Sequence, residues 1–271
     1  MTESSPATRD PLARALAVAG PVLRASPAGL LTDFDGTLSP IVEDPASARL
    51  AEGALDALTR LVERLAVVAV VTGRAPLDAR RMVGVPELLV AGNHGTEWLE
   101  PGSDRPDVLP DAASVQDALA AVRDRLPALP GVTLEDKGLS ATVHYRGAPD
   151  PHAARAVILD AVGDPGPGLE LRPGRMSVEV RPVGLGDKGA ATRRIIERFG
   201  LRGAVVMGDD VTDLDMFRVV ADERAAGRLA GAVIGVGGAG GEVPPQVAEA
   251  ADVVLAGPDE AARFLADLGL D

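Results

Sequence analysis

The chain has 271 residues, of which 46% are hydrophobic, with no cysteine and a formal net charge of −13. The length suits two domains, or one domain with a large insertion. The negative charge argues against nucleic acid or an anionic membrane as a partner, because either would need a basic face. The lack of cysteine excludes disulfides and thiolate chemistry.

The N-terminal segment is expected to form a helix rather than a secretion signal. Leu12, Leu16 and Ala19 recur at helical spacing, and Asp10 spoils the positive start of a leader. The most continuous apolar run, residues 65–71, suits a strand and is too short to span a membrane. We therefore expect a soluble protein, which we place in the cytoplasm and take to be a monomer.

From residue 29 the sequence alternates short apolar strands with amphipathic helices, and this pattern resumes after residue 187. Such alternation predicts an α/β fold with a doubly wound, Rossmann-like parallel sheet. The predicted strands are 29–33, 66–71, 88–91, 204–207, 232–236 and 253–255, and the predicted helices are 52–64, 76–83, 188–198, 213–221 and 259–268.

Between these two stretches the pattern of polar and apolar residues changes. Strands that are polar on one face alternate with two helices, which is typical of an antiparallel α+β unit. We predict a core domain over 1–103 and 184–271, with an inserted cap domain over 104–183. The predicted helices of the cap are 112–126 and 151–162, and its predicted strands are 133–135, 142–145 and 177–180.

The first strand ends in Asp33-Phe34-Asp35-Gly36-Thr37. Because side chains alternate along a strand, Asp33 and Asp35 point the same way, and two nearby carboxylates need a cation or a shared proton. A polar turn is the plain alternative. A calcium-binding loop is another, but its ligand pattern fails at Thr37 and at later positions. Residues elsewhere in the chain therefore decide between a metal-assisted site and these alternatives.

Three more strand ends carry polar groups. Thr72-Gly73-Arg74 offers a hydroxyl and amides suited to phosphate, although Thr72 could simply cap a helix. Lys188 lies at a helix start, where the helix dipole disfavours a cation, although it could be a solvated lysine. Asp209-Asp210 and Asp213 follow a buried strand and suit a hard cation, although acids there also complement the dipole.

These motifs, taken in order, resemble those of the haloacid dehalogenase (HAD) superfamily of phosphohydrolases. Within it, the chain resembles the trehalose-6-phosphate phosphatases, and the insertion lies where members with an α/β cap have theirs. Leu214 departs from the Glu often found there, which bears on selectivity more than on chemistry. The residues that carry the resemblance are 33–41, 92–97, 135–138, 144–146, 179–182, 187–189 and 208–213.

The resemblance implies a Mg²⁺-dependent phosphatase that hydrolyses trehalose 6-phosphate through an aspartyl-phosphate. It implies Asp33 as nucleophile and Asp35 as acid and base. Alternatives are a related phosphatase for sucrose 6-phosphate or a glycosyl-3-phosphoglycerate, or a catalytically silent sugar- or metal-binding protein. The implied metal ligands are Asp33, Asp35 through its carbonyl, Asp209 and Asp213. The implied phosphate ligands are Thr72, Lys188 and the amides of Gly36 and Gly73, and Arg74 is an implied substrate-binding residue.

Sugar recognition falls to a separate set of residues. His94, Glu135, Lys137 and Glu179 are the substrate-binding candidates that the resemblance implies. For His94 the alternative is a buried histidine bonded to backbone in a turn. For the three residues of the insertion the alternative is an ordinary solvated face of a sheet.

Overall fold

A computed structural model describes residues 10–42, 44–108, 112–136, 140–166, 168–174, 176–182, 187–237 and 242–269. The chain divides into two units, Met1–Asp107 with Asp187–Asp271, and Val108–Gly186. The sequence analysis placed the corresponding boundaries after residues 103 and 183. Within the described ranges, no helix is long and apolar enough to cross a bilayer.

The first unit alternates strands and helices as predicted. Its helices are α1 (Pro11–Leu23), α2 (Ala54–Val62) and α3 (Pro76–Val83). Its strands in this part of the chain are β1 (Ala28–Thr32), β2 (Val67–Val71), β3 (Leu89–Gly92), β4 (Glu97–Leu99) and β5 (Asp107–Val108).

The second unit follows, with α4 (Ala112–Arg125), β6 (Thr133–Asp136), β7 (Ala141–His144), α5 (Pro151–Val162), β8 (Leu169–Gly174) and β9 (Ser177–Pro182). The chain then returns to the first unit with α6 (Lys188–Arg198), β10 (Gly203–Gly208), α7 (Leu214–Ala225), β11 (Ala230–Val236), α8 (Pro245–Ala250), β12 (Val253–Leu255) and α9 (Pro258–Asp267).

The strands of the central sheet are apolar on both faces because helices cover both. Leu30 and Val205 pack in a core with α1, α2 and α9, whereas Leu31 and Val206 pack in a second core with α6, α7 and α8. Every residue of β1, β2 and β10 is buried. This two-sided burial explains why these strands read as continuous apolar runs.

The order of the sheet is β12-β11-β10-β1-β2-β3-β4-β5. β1 pairs in parallel with β2 on one side and with β10 on the other, so the strand order reverses at β1. In such sheets ligands gather beyond the carboxyl ends of the strands at the reversal point. The loops after β1, β2 and β10 therefore define the place to look for a site.

Four elements were not predicted from the sequence: β4, β5, β8 and α8. β4 pairs antiparallel with β3, and α8 is a six-residue helix before β12. β8, which ends in Pro173 and Gly174, was not predicted, and it pairs with β9 along its length.

The second unit holds a four-stranded antiparallel sheet in the order β6-β7-β9-β8. One face is apolar, where Val143 and Val178 pack with Leu119 of α4 and Ile158 of α5. On the other face the register aligns Glu135 with Thr142, and Thr142 with Glu179. Directly paired residues share a face, so these three side chains form a cross-strand row.

Candidate active site

Asp33 is the first residue after β1 and is 5% exposed. Its amide donates to the carbonyl of Met207 at 3.0 Å, and its carbonyl accepts the Thr32 hydroxyl at 2.8 Å. The first bond continues the pairing of β1 with β10 by one residue, and the second holds the carbonyl of Asp33 in place. The carboxylate therefore starts from a rigid position.

Lys188 opens α6, whose N-cap Asp187 accepts the amide of Ala190. Although Lys188 is the first residue of a helix, it is only 3% exposed. Its Nζ lies 2.7 Å from Oδ1 of Asp33 and 2.6 Å from Oδ1 of Asp213. The lysine is thus a buried bridge between two carboxylates, which rules out the alternative of a solvated lysine.

Asp213 organises the loop that follows β10. Its Oδ2 accepts the amides of Asp209 and Asp210 at 2.9 and 3.1 Å, and its side chain is fully buried. Oδ1 of Asp209 accepts the hydroxyl of Thr37 at 3.1 Å, which ties this loop to the one after β1. The carboxylates of Asp209 and Asp213 therefore hold the backbone of this loop and join it to the loop after β1, in addition to complementing a helix dipole.

Asp33, Asp209 and Asp213 place ligand oxygens within 4.8 Å of one another, all buried. Three carboxylates against one ammonium leave an excess of two negative charges in a low-dielectric site. Burial, reinforced by Asp213, raises the pKa of Asp209 to about 7, against the pull of Lys188. Burial also raises the pKa of Asp33, with Lys188 opposing and the other acids adding.

The same causes act in the opposite sense on Lys188. Burial lowers its pKa, but Asp213 and Asp33 more than compensate, so that the pKa of Lys188 lies above its usual value. The ammonium therefore stays charged while the carboxylates remain underneutralised. Hard carboxylate oxygens with a deficit of two positive charges suit a divalent cation.

Gly36 has a left-handed backbone with φ of +82°, and a Cβ there would collide with the carboxylate of Asp209. Glycine is required because the two loops approach so closely. Its amide donates to the carbonyl of Ser39 at 2.7 Å. The amide that sequence analysis assigned to phosphate is thus already paired in this structure, and Gly36 contributes space.

Asp35 does not point into the acidic cluster. Its two oxygens accept from Nε and NH2 of Arg74 at 2.7 and 2.6 Å, a bidentate pair. The Arg74 side chain is 14% exposed and that of Asp35 is 40% exposed. Arg74 was expected at the substrate, and in this structure its guanidinium binds the carboxylate of Asp35. The metal ligand expected from Asp35 is its backbone carbonyl, which this pair does not involve.

Thr72 follows β2 directly and is buried, with its hydroxyl accepting the amide of Arg74 at 3.3 Å. His94 has φ of 57°, and its amide donates to the carbonyl of Thr72 at 2.9 Å. A Cβ at Gly73 would lie 2.8 Å from two ring atoms of His94. The ring of His94 therefore lies directly over the Thr72-Gly73 turn.

In the second unit, Oε2 of Glu135 lies 2.8 Å from Nε2 of His144, and Ser140 donates to Glu179 at 3.3 Å. Thr142, between the two glutamates in the row, is 5% exposed, and its hydroxyl has no hydrogen-bond partner among the described residues. Lys137 lies outside the described residues, so its predicted role stays a prediction.

Two contacts and one unpaired hydroxyl were not predicted from the sequence. The Arg74–Asp35 pair and the Thr37–Asp209 bond join residues 39 and 172 positions apart, and no local pattern signals either. The unpaired hydroxyl of Thr142 follows from strand register. Alternation along the strands could have put Thr142 on a face with Glu135 and Glu179, but it could not supply the pairing.

Comparison with models of known protein families shows which family the chain belongs to. The model of the trehalose-phosphatase family matches residues 31–237, a range that contains every residue of the acidic cluster. The chain belongs to the trehalose-phosphatase family.

Several curated proteins from mycobacteria match the chain. The trehalose-phosphate phosphatase of Mycobacterium tuberculosis is 35% identical over 215 residues, covering 76% of this chain and 54% of the relative. That of Mycobacterium avium is 39% identical over 198 residues, covering 69% and 50%. The chain spans about half the length of the curated relatives it matches.

Solved structures agree on the fold. Trehalose-6-phosphate phosphatase of Aspergillus fumigatus matches with a TM-score of 0.63 at 26% identity, over 95% of this chain and 96% of that one. A haloacid dehalogenase-like hydrolase from Bacteroides thetaiotaomicron matches with a TM-score of 0.63 at 16% identity, over 89% and 99%. The α/β fold expected from the sequence, a HAD core with a cap, is confirmed.

Proposed function

We propose that the chain is a magnesium-dependent phosphatase that hydrolyses trehalose 6-phosphate to trehalose and phosphate. The observation that carries the proposal is the cluster of Asp33, Lys188, Asp209 and Asp213, buried at the reversal point of the sheet in a trehalose-phosphatase family member. It combines a fixed carboxylate, a buried cation and a net charge suited to a divalent metal.

In the first step, a carboxylate oxygen of Asp33 attacks phosphorus and the bond from phosphorus to the sugar oxygen breaks. Asp35 gives its proton to the leaving oxygen, so that neutral trehalose departs. Lys188 keeps its contact with Asp33 and neutralises charge on the phosphoryl oxygens. Thr72 and the amide of Gly73 hold the remaining oxygens.

In the second step, Asp35 takes a proton from water as the water oxygen attacks phosphorus of the aspartyl-phosphate. The acyl phosphate bond breaks, which releases phosphate and restores the Asp33 carboxylate and protonated Asp35. Magnesium held by Asp33, Asp209, Asp213 and the carbonyl of Asp35 would offset the repulsion between carboxylate and phosphate. The deficit of two charges in the cluster supports this assignment.

We assign sugar recognition to the polar face of the second unit. Glu135 and Glu179 flank Thr142 in one cross-strand row, and carboxylates are good acceptors for sugar hydroxyls. Buried hydroxyl contacts discriminate strongly, because a substrate that lacks the hydroxyl leaves its partner unpaired. We further assign Lys137 to this set on the family resemblance, and His94 to the substrate because its ring lies over Gly73.

The test is phosphate release from a panel of sugar phosphates, with magnesium and with excess chelator. Trehalose 6-phosphate should give the highest kcat/KM, ahead of sucrose 6-phosphate, glucosyl-3-phosphoglycerate and glucose 6-phosphate. Chelation should stop the reaction and magnesium should restore it. Preference for another panel member would reassign the substrate, and activity unchanged in chelator would refute the metal.

A further inference from the structure

Hydrogen bonds and a contact with an aromatic ring fix the guanidinium of Arg74. Besides the two bonds to Asp35, NH1 donates to the carbonyl of Pro45 at 2.8 Å, so each of the three nitrogens donates at least one hydrogen bond. The guanidinium also lies 5.3 Å from the centroid of the Phe34 ring, which is fully buried. An arginine fixed in this way is a support for its neighbours.

The carboxylate of Asp35 depends on that support. It follows β1 by three residues, in a loop where the backbone has turned away from the strand, and its side chain is 40% exposed. If it contacted only solvent, such a side chain would sample several rotamers. The two parallel bonds from a planar fork fix both the rotamer and the plane of the carboxylate, which a single-point cation cannot do.

We propose that Arg74 is a positioning residue for Asp35 and binds neither the phosphate nor the sugar. Its fork, braced by Phe34 and Pro45, holds the Asp35 carboxylate in the orientation from which it exchanges a proton with the sugar oxygen. The outward side of the carboxylate stays accessible, as the exposure of Asp35 shows. This inference rests on the proposed function, in which Asp35 serves as the acid.

Substrates with different leaving groups separate positioning of the acid from phosphate binding, and a double variant with Asp35→Asn separates it from sugar binding. The value of kcat/KM reports steps up to departure of the leaving group, which needs a proton for a sugar oxygen but none for nitrophenolate. Loss of a positioning residue for the acid therefore lowers kcat/KM for trehalose 6-phosphate and spares nitrophenyl phosphate. Loss of a phosphate ligand lowers both alike.

The experiment measures both kcat/KM values in wild type, Arg74→Gln, Arg74→Lys, Asp35→Asn and the double variant Arg74→Gln/Asp35→Asn. We expect Arg74→Gln to lose about ten- to a hundredfold on trehalose 6-phosphate, less than the roughly 10²- to 10⁴-fold that a general acid contributes, because Asp35 itself remains. The loss on nitrophenyl phosphate should be less than about threefold. Arg74→Lys should behave like Arg74→Gln, since one ammonium does not reproduce the fork.

The double variant supplies an independent check. If Arg74 acts only through Asp35, Arg74→Gln should cost almost nothing further in the Asp35→Asn background. Equal losses on both substrates, full recovery in Arg74→Lys, or additive losses in the double variant would each overturn the inference. The ratio of the two kcat/KM values is unaffected by a partly unfolded preparation, because the active fraction cancels.

Arg80→Gln is the matched control. The guanidinium of Arg80 also donates to backbone carbonyls, those of Pro86, Leu88, Leu99 and Glu100, but it lies outside the candidate site. This variant should lower the thermal unfolding temperature and leave the ratio of kcat/KM values unchanged. If wild type itself fails to hydrolyse sugar phosphates, the proposed function fails instead, and the two failures are thereby distinguished.

Discussion

The two units use the same kinds of charged side chain under opposite conditions of solvation. In the first unit Asp33, Asp209, Asp213 and Lys188 are each at most 8% exposed. In the second, the side chains of Glu135 and His144 are about 40% exposed. Charges removed from water must be neutralised by partners at fixed distances, whereas half-exposed charges keep solvent as an alternative partner. Substitutions should therefore be severe in the first unit and graded in the second.

The largest effect is expected for Asp33→Asn. The amide has nearly the shape of the carboxylate but is a poor nucleophile, so turnover should fall by about 10⁴-fold or more with every substrate. Phosphate release and circular dichroism, measured on the same sample, check activity and folding together. A folded variant with full activity would eliminate Asp33 as the nucleophile.

Smaller, substrate-dependent losses are expected in the second unit. Glu135→Ala and Glu179→Ala should each lower kcat/KM for trehalose 6-phosphate by roughly ten- to a thousandfold, the range for losing hydrogen bonds to charged groups. Nitrophenyl phosphate, which lacks the sugar, should be hydrolysed nearly as before. Asp160→Ala, which removes an exposed carboxylate of α5, is the control and should change neither substrate.

If both glutamate variants kept the preference for trehalose 6-phosphate over glucose 6-phosphate, the polar face of the second unit would not determine specificity. The contrast between the units would then concern burial alone.

The third prediction uses the pKa of Asp209, which burial and Asp213 raise to about 7. A carboxyl group with a higher pKa in the folded state binds more protons when folded, from about pH 4 up to that value. Metal-free protein should therefore lose stability as pH rises through this window. Asp209→Asn should remove part of that loss, raising the unfolding temperature relative to wild type by roughly 5 °C near neutral pH.

Thermal unfolding of both proteins between pH 5 and pH 8, in chelator and in magnesium, makes the measurement, at values spaced about one unit apart. Magnesium should stabilise wild type more at the higher pH, because it binds the ionised carboxylate. Parallel pH profiles for wild type and Asp209→Asn in chelator would contradict the assignment.

The smallest effect is expected for Thr142→Val. Burying a hydroxyl without a partner costs roughly 1 to 3 kcal/mol, and valine keeps the β-branched shape. The free energy of unfolding of the second unit should therefore rise by roughly 1 kcal/mol, as measured by urea denaturation. If the hydroxyl meets the sugar, the same variant should lower kcat/KM for trehalose 6-phosphate. A loss of stability would show that the hydroxyl is satisfied in solution.

Strands were predicted correctly from the sequence where their burial requires a continuous run of apolar residues. The strands that carry Asp33, Thr72 and Asp209 are apolar runs ending in polar residues, and each was predicted within a residue or two of its observed end. Prediction failed at β4, β5 and α8, which are too short to establish a period, and at β8, whose proline lies at a sheet edge. Prolines are tolerated there because no central partner needs their missing amide.

The residues of the candidate site were predictable from the sequence, but their contacts with one another were not. The acids and Lys188 could be gathered from the sequence because parallel strands bring their carboxyl ends together. Their individual partners could not be assigned, since Lys188 bridging Asp33 and Asp213 is a matter of side-chain reach. Nor could the pairing of Arg74, which was predicted to bind the substrate, with Asp35, which was predicted as the acid and base.

The position of β1 between β2 and β10 also has a consequence for biosynthesis. β10 is translated only after the whole second unit, so the edge of Ala28–Thr32 that faces it stays unpaired on the growing chain. An open, apolar strand edge invites pairing with other chains. Chains truncated before residue 203 should therefore aggregate, and on the ribosome this edge is the segment of the first unit that most needs a chaperone.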